Sequence, residues 1–108
     1  MTQQIPEPVA SFLEAVNAHD ERAFVEHFTG SPTVDDWGRT LTGLEQITAW
    51  SDKEFIGSEP TLTVDQVTVT DGAVTVVGDW RSQHANGLSS FRFDLDGDKI
   101  AAMTIREG

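Results

Sequence analysis

Asp36 is the residue of this sequence best suited to acid–base chemistry. It shares one face of a short predicted strand with Val34. If that face points inward, the carboxylate is partly desolvated, which favours proton abstraction from a bound molecule. Alternatively, Asp36 accepts a hydrogen bond in the turn at Gly38, as aspartates before glycines often do. The aromatic residues expected around it are Phe12, Phe28, Trp50, Trp80 and Phe91.

A histidine and a serine are the next candidates for chemistry. Asn86-Gly87 is typical of a two-residue hairpin turn. A hairpin closed there places His84 directly opposite Ser89, on the same face as Trp80. Such a pair can donate a hydrogen bond to a carbonyl oxygen or carry a proton. The alternative is a polar pair exposed to solvent at the end of the hairpin.

The other motifs do not indicate a metal ion or a cofactor. His19 and His27 have no partner at the spacing of metal ligands, and the chain has no cysteine. Asp96-Gly97-Asp98 lacks the remaining ligands of a calcium loop. Neither the Gly-rich dinucleotide motif nor a P-loop occurs. We therefore expect no metal site and no cofactor.

Composition limits the class of protein. A chain of 108 residues with 38% hydrophobic residues is expected to form one domain over residues 1–108. Its 18 acidic and 7 basic residues give a net charge of −11, which repels nucleic acid. The apolar runs are too short to span a membrane, and Met1 to Gln4 do not resemble a secretory signal. We expect a cytoplasmic protein that binds neither nucleic acid nor membranes.

The first half of the chain has the periodicity of helices. From Pro6 to Ala18, apolar residues recur at helical spacing. Asp20 is placed to cap a second, short helix. An extended run over residues 33–37 and a loop come next. Thr42 then begins a third helix as part of a capping box, in which Glu45 reaches back to the backbone.

The second half has the alternation of strands. The turn signal Asp71-Gly72 pairs Val69 with Val74, so both lie on one apolar face. Leu62 has the opposite parity, and it joins that face only if one extra residue is present near Asp65-Gln66. The sequence therefore predicts a β-bulge there.

These elements predict an α+β fold in which three N-terminal helices pack on one face of a strongly bent antiparallel sheet. The outer face is polar and charged, with Asp79 and Arg92 as diagonal neighbours. Trp37 has the opposite parity to Asp36 and is expected on that face near Val77, which favours a dimer contact. Burial of the tryptophan under a loop is the alternative. We expect a homodimer formed through the outer sheet face.

Several short motifs follow one another in a recognisable order: Phe12-Leu13-Glu14-Ala15-Val16-Asn17-Ala18-His19-Asp20, Phe28, Thr33-Val34-Asp35-Asp36, Gly43-Leu44-Glu45-Gln46-Ile47 and Phe91-Arg92-Phe93. Together with the order of elements, they resemble the nuclear transport factor 2-like superfamily, in particular its SnoaL-like polyketide cyclases and ketosteroid isomerases. The resemblance covers nearly the whole chain. It implies a cone-shaped α+β fold with an apolar pocket, usually in a dimer.

The resemblance also implies roles for single residues. Asp36 occupies the position of the general base of ketosteroid isomerases. Phe12 stands where those enzymes have a tyrosine donor, and Ser89 stands where they have a protonated aspartate. Because preorganised donors usually supply the largest part of enolate stabilisation, these two departures argue against true steroid isomerase activity. Arg92-Phe93-Asp94 has the spelling of a limonene epoxide hydrolase motif, but its parity directs both charges away from the pocket.

The sequence predicts a SnoaL-like protein that binds a small apolar molecule. If it is an enzyme, we expect a cofactor-free isomerase or cyclase that acts on an apolar carbonyl compound, with proton transfer by Asp36 and help from His84 or Ser89. The alternative is a non-catalytic binding or dimerisation module with a filled interior. A cavity of roughly 300 Å³ or more beside Asp36 favours ligand binding. The expected ligand contacts are Phe12, Val16, Phe28, Trp50, Leu62, Trp80 and Phe91.

Overall fold

A computed structural model describes residues 4–108 of the chain. It contains three helices, at the positions that the sequence predicts. The first residues of the segment inspected for a secretory signal, 1–3, lie outside the described residues. The helices are α1 (Val9–Asn17), α2 (Glu21–Glu26) and α3 (Gly43–Glu54), and a short 3₁₀ turn follows at Ile56–Ser58. No helix in the described part of the chain is long and apolar enough to cross a membrane.

Side chains cap two of these helices. The Asp20 carboxylate accepts a hydrogen bond from the backbone N–H of Ala23 at 3.1 Å, as predicted for the start of α2. At the start of α3 the predicted capping box is wrong in both members, since the Thr42 side chain makes no capping hydrogen bond. Gln46 Oε1, not Glu45, accepts from the backbone N–H of Thr42 at 2.9 Å.

The remaining elements form a curved, open sheet of six strands, which confirms the α+β class. The strand order is β2-β1-β6-β5-β4-β3, and every neighbouring pair is antiparallel except β1 and β6, which are parallel. The sheet is therefore mixed, not purely antiparallel as predicted. The strands are β1 (Phe28–Asp36), β2 (Arg39–Thr42), β3 (Thr61–Thr70), β4 (Ala73–Arg81), β5 (Gly87–Asp96) and β6 (Lys99–Glu107).

The hairpin of β3 and β4 has the predicted register and the predicted bulge. Val69 pairs with Val74, and Leu62 pairs with Trp80. The register shifts between Val64 and Gln66. Because of this shift, Leu62 and Trp80 lie on the inner face together with Val74, where all three are buried.

The predicted register of β4 and β5 is wrong. Gly78, not His84, pairs with Ser89, and the strands close at Trp80 and Gly87. Residues 82–86 form a loop held by its own side chains: Ser82 Oγ donates to the Ala85 carbonyl at 2.7 Å, and the Asn86 side chain accepts from the backbone N–H of Ser82 at 2.9 Å. The inner and outer faces are unchanged, because the shift is an even number of residues.

The outer face of the sheet carries exposed ion pairs. Arg81 contacts Asp79 at 2.9 Å, and Arg92 contacts Asp94 at 3.2 Å. Each pair lies within one strand, so the predicted diagonal pairing between Asp79 and Arg92 is wrong. The helices cover only the opposite face, and the core lies between them and the sheet.

Candidate functional site

A cavity of about 630 Å³ lies at one end of the core, between α3 and the ends of the central strands. The end of β1, the start of β2, the last turns of α3 and the loop between β4 and β5 contribute to its wall. Its volume falls within the range of small-molecule sites.

Stacked aromatic rings form the inner wall of this cavity. Phe55 lies between Trp50 and Trp80, with ring centroids 4.8 Å and 4.9 Å apart and nearly parallel planes. Phe91 lies 5.5 Å from Trp80. All four rings are almost completely buried, and all four line the cavity. The arrangement offers an apolar molecule a rigid aromatic surface.

Asp36 lies where this aromatic wall meets the charged entrance. It is the last residue of β1, where it pairs with Ile105 of β6 on one side and with Arg39 of β2 on the other. Because side chains alternate along a strand, Asp36 faces inward with Val34. Its Oδ2 accepts hydrogen bonds from Arg39 Nη2 at 2.9 Å and from Trp50 Nε1 at 3.1 Å. Within residues 4–108, both hydrogen bonds to the carboxylate end on Oδ2, which leaves Oδ1 for a bound molecule.

A chain of polar and charged side chains extends from Asp36 across the cavity. Arg39 also donates to Glu54 Oε1 at 2.8 Å, and His84 Nε2 lies 3.6 Å from that same oxygen. The hydrogen bond from Arg39 lowers the pKa of Glu54 below its ordinary value. The same hydrogen bond raises the pKa of Arg39. Arg39 therefore stays charged and is shared between two carboxylates.

His84 and Ser89 both line the cavity, although they are not the cross-strand neighbours that the sequence predicts. His84 lies in the loop 82–86, with its side chain more than half exposed. Ser89 belongs to β5, pairs with Gly78, and donates its hydroxyl to the Gly87 carbonyl at 3.2 Å. The structure thus brings Asp36, His84 and Ser89 to one cavity by a different register from the one predicted.

The family follows from a comparison of the whole chain. Residues 9–105 match the family model of the SnoaL-like domain. The chain belongs to the SnoaL-like family. This confirms the resemblance drawn from the short motifs. No curated protein matches the chain.

Solved structures share the fold of this SnoaL-like chain at low sequence identity. An NTF2-like protein of unknown function from Cytophaga hutchinsonii is 17% identical, with a TM-score of 0.81 over 98% of this chain and 93% of that one. SalBIII, an epoxide hydrolase/cyclase-like enzyme of pyran ring formation in salinomycin, is 21% identical, with a TM-score of 0.81 over 93% and 87%. RV0760c from Mycobacterium tuberculosis, in complex with estradiol-17beta-hemisuccinate, is 15% identical, with a TM-score of 0.76 over 93% and 90%. At these identities the likeness establishes the fold.

Three of the seven predicted ligand contacts, Trp50, Trp80 and Phe91, line the cavity of this SnoaL-like domain. The other four are buried elsewhere in the core. They do not border the cavity: the rings of Phe12 and Phe28 pack edge to face, and the other two side chains are buried within the core. These four residues are Phe12, Val16, Phe28 and Leu62.

The hydrogen bond in the turn at Gly38, which was the alternative role of Asp36, is made by Asp35. Asp35 Oδ1 accepts from the backbone N–H of Gly38 at 2.7 Å, and the Asp35 carboxylate also pairs with Arg106 at 3.0 Å. The hydrogen bond from Arg106 lowers the pKa of Asp35. Asp35 points to the outer face and stabilises the turn, so Asp36 does not have to do so.

Sequence reasoning missed Arg39 and Glu54 and placed Trp37 on the outer face. Trp37 in fact lines the cavity. Trp37 and Gly38 both have positive φ, 54° and 94°, and form a two-residue turn between Asp36 and Arg39. Strand parity does not hold in such a turn. Glu54 could have been found, since it follows Trp50 by one helical turn on α3.

Proposed function

We propose that this SnoaL-like protein binds an apolar carbonyl compound in the cavity and moves a proton on it without a cofactor. The observation that carries the proposal is the position of Asp36, whose carboxylate lies between a charged entrance and a wall of buried aromatic rings. A base at this position meets carbon atoms of a ligand whose apolar part contacts Trp50 and Trp80.

In the proposed reaction, Asp36 Oδ1 accepts a proton from the carbon next to the carbonyl group. The electron pair of the broken C–H bond forms an enolate, and its oxygen accepts a hydrogen bond from His84 or Ser89. In an isomerisation, Asp36 returns the proton to a different carbon of the conjugated system. In a cyclisation, the enolate carbon bonds to a second carbonyl carbon of the same ligand, and the oxygen of that second carbonyl takes the proton.

Two of the similar structures support this class of ligand. RV0760c is in complex with a steroid hemisuccinate, and SalBIII is a cyclase-like enzyme of pyran ring formation. The molecules named for them, a steroid hemisuccinate and a polyether, are both organic compounds that carry oxygen functions. The wall of Trp50, Phe55 and Trp80 is suited to the same kind of molecule.

A test of the proposed base measures deuterium exchange at the α-carbons of cyclohexanone in deuterium oxide by proton NMR. The protein is expected to accelerate the exchange, and Asp36→Asn is expected to reduce the acceleration by about a hundredfold or more. Asp98→Asn is the matched control, since Asp98 is an exposed carboxylate in the turn between β5 and β6 and does not line the cavity. Unchanged exchange in Asp36→Asn would refute the role of Asp36.

The second candidate function is a non-catalytic binding module. It is favoured by the hydrogen bonds that already occupy Oδ2 of Asp36 and the hydroxyl of Ser89. Binding of cyclohexanone without any accelerated exchange would support this second function over the first.

We also propose a homodimer that forms through the outer sheet face, in a cytoplasmic protein. The half-buried Val77 and the exposed ion pairs Arg81–Asp79 and Arg92–Asp94 offer that face both apolar and charge-complementary contacts. Analytical ultracentrifugation at micromolar concentration tests the dimer. A single species of 11.8 kDa would contradict it.

A further inference from the structure

Large apolar side chains on the surface are concentrated at the entrance of the cavity. Among residues 4–108, the exposed large hydrophobic residues are Trp37 (59% exposed), Val69 (61%) and Leu88 (49%). Trp37 and Leu88 line the cavity, Trp37 from the turn that follows β1 and Leu88 from β5, and these two strands lie on opposite sides of β6. Val69 lies in β3 and does not line it.

The backbone at Trp37 is unfavourable for a tryptophan. Its φ of 54° lies in the left-handed region, where a bulky side chain is uncommon. Two-residue turns of this kind favour Asn, Asp or Gly. The turn would therefore form more readily with asparagine, so the stability of the fold does not account for the tryptophan. The positive φ and the 59% exposure of the side chain are consistent with a contact outside the folded chain.

The side chains of the cavity form three layers along its depth. Trp37 lies outermost. Asp36 and Glu54, whose side chains are 21% and 29% exposed, lie deeper, and the Arg39 side chain, 51% exposed, extends from these carboxylates to the entrance. His84, 57% exposed, also lies at the entrance. Trp50 is 5% exposed and belongs to the aromatic inner wall. From the entrance inward the cavity therefore has an exposed tryptophan among polar side chains, then two carboxylates, then aromatic rings. A ligand that contacts all three has its polar group between two apolar parts.

We propose that Trp37 binds an apolar group of the ligand on the outer side of its carbonyl, so that the ligands are ketones with apolar groups on both sides of the carbonyl. This inference rests on the proposed function, because it takes the carbonyl to lie beside Asp36. One apolar group then contacts Trp50 and Trp80, and the other contacts Trp37. An aldehyde or a methyl ketone fills only one of the two positions.

The test compares methyl butyl ketone with dibutyl ketone, with affinities measured by NMR titration. Each methylene that becomes buried raises affinity roughly fourfold. The wild-type protein is expected to bind dibutyl ketone about tenfold or more tightly than methyl butyl ketone. Trp37→Asn is expected to bring the two affinities within about twofold of each other, without a lower midpoint of thermal unfolding, because asparagine tolerates the left-handed turn.

Val69→Thr is the matched control, since it removes an exposed apolar side chain far from the cavity and keeps the β-branched shape. It should leave the ratio of the two affinities unchanged. Retention of that ratio in Trp37→Asn would overturn the inference, and so would an equal loss of affinity for both ketones with a lower unfolding midpoint. Trp37 would belong to a dimer contact instead if Trp37→Asn dissociates a dimer and keeps the ratio.

The inference and the proposed function can fail separately. If the wild-type protein binds methyl butyl ketone but gains nothing with dibutyl ketone, the role of Trp37 is wrong and the proposed function stands. If it binds neither these ketones nor cyclohexanone, both are wrong.

Discussion

The aromatic core has two ends that differ in packing. At the closed end, Phe12 is in contact with Phe24, Phe28 and Phe93, with ring centroids between 5.2 Å and 5.5 Å apart and the rings tilted or edge to face. Rings that meet edge to face from several directions fill the space between helices and sheet. None of these four rings lines the cavity at the other end of the core.

At the open end the rings form a column. Phe55 is stacked between Trp50 and Trp80, and the neighbouring space is the cavity. The indole N–H of Trp50 donates to Asp36, so the column also anchors the charged layer. The comparison teaches that a similar number of aromatic residues can build either a filled core or a binding surface, depending on whether the rings interlock or stack.

The largest expected effect separates the two ends by truncation. Phe12→Ala should lower the free energy of unfolding by about 4 kcal/mol, because Phe12 is fully buried among other rings. Phe91→Ala should lower the free energy of unfolding by a smaller amount, at least about 1 kcal/mol less than Phe12→Ala does, because one side of Phe91 already borders the cavity. Urea unfolding measures both losses. Equal losses would contradict the distinction between a closed and an open end.

A smaller effect is expected from Phe55, which joins the two ends. Phe55→Leu should lower the free energy of unfolding by about 2 kcal/mol, through loss of the two stacked contacts, and should weaken binding of cyclohexanone. Phe24→Leu is the control from the closed end, since Phe24 packs 5.6 Å from Phe55 but does not line the cavity. It should cost similar stability and leave binding unchanged. Weaker binding in both variants would show that the open end does not act separately.

The smallest expected effect is a difference in pH dependence between two glutamates. Burial raises the pKa of Glu21 above its ordinary value, and its Oε1 is buried without a hydrogen-bond partner among residues 4–108. The hydrogen bond from Arg39 lowers the pKa of Glu54. A carboxyl group with a raised pKa destabilises the fold as pH rises through that pKa, whereas one with a lowered pKa stabilises the fold above its ordinary pKa.

Accordingly, Glu21→Gln should raise the free energy of unfolding by about 1 kcal/mol at neutral pH, and the gain should vanish in acid below the ordinary pKa of glutamate. Glu54→Gln should lower it by less than about 1 kcal/mol at neutral pH, and this loss should vanish as pH falls through the folded-state pKa of Glu54. Urea unfolding at neutral and acidic pH measures both. Changes of the same sign in the two variants would be inconsistent with these environments.

Local features of the chain were predictable from its sequence. The stripe of Val9, Phe12 and Val16 gives α1, and Asp20 caps α2. The bulge near Asp65 follows from parity, because a two-residue turn determines the register of the strands on either side of it. Each of these depends on residues close together in the chain.

In the hairpin of β4 and β5, the turn motif alone predicts the wrong register. Asn86-Gly87 has the spelling of a tight turn, but the hydrogen bonds of Ser82 and Asn86 close a longer loop. Local patterns also did not predict strand β2 or the parallel pairing of β1 with β6. The pairing could not be found in this way because β1 and β6 are separated by most of the chain.

The sequence by itself determined the family, the α+β class and which side chains are inward on the hairpin of β3 and β4, because periodicity and turn chemistry act over a few residues. Only the tertiary structure decided that Asp36, Arg39 and Glu54 form one charged layer. It also decided that Trp50 and Trp80 border a cavity whereas Phe12 does not. The physical reason is that a cavity is space left by elements distant in the chain, and it depends on how their side chains fit together.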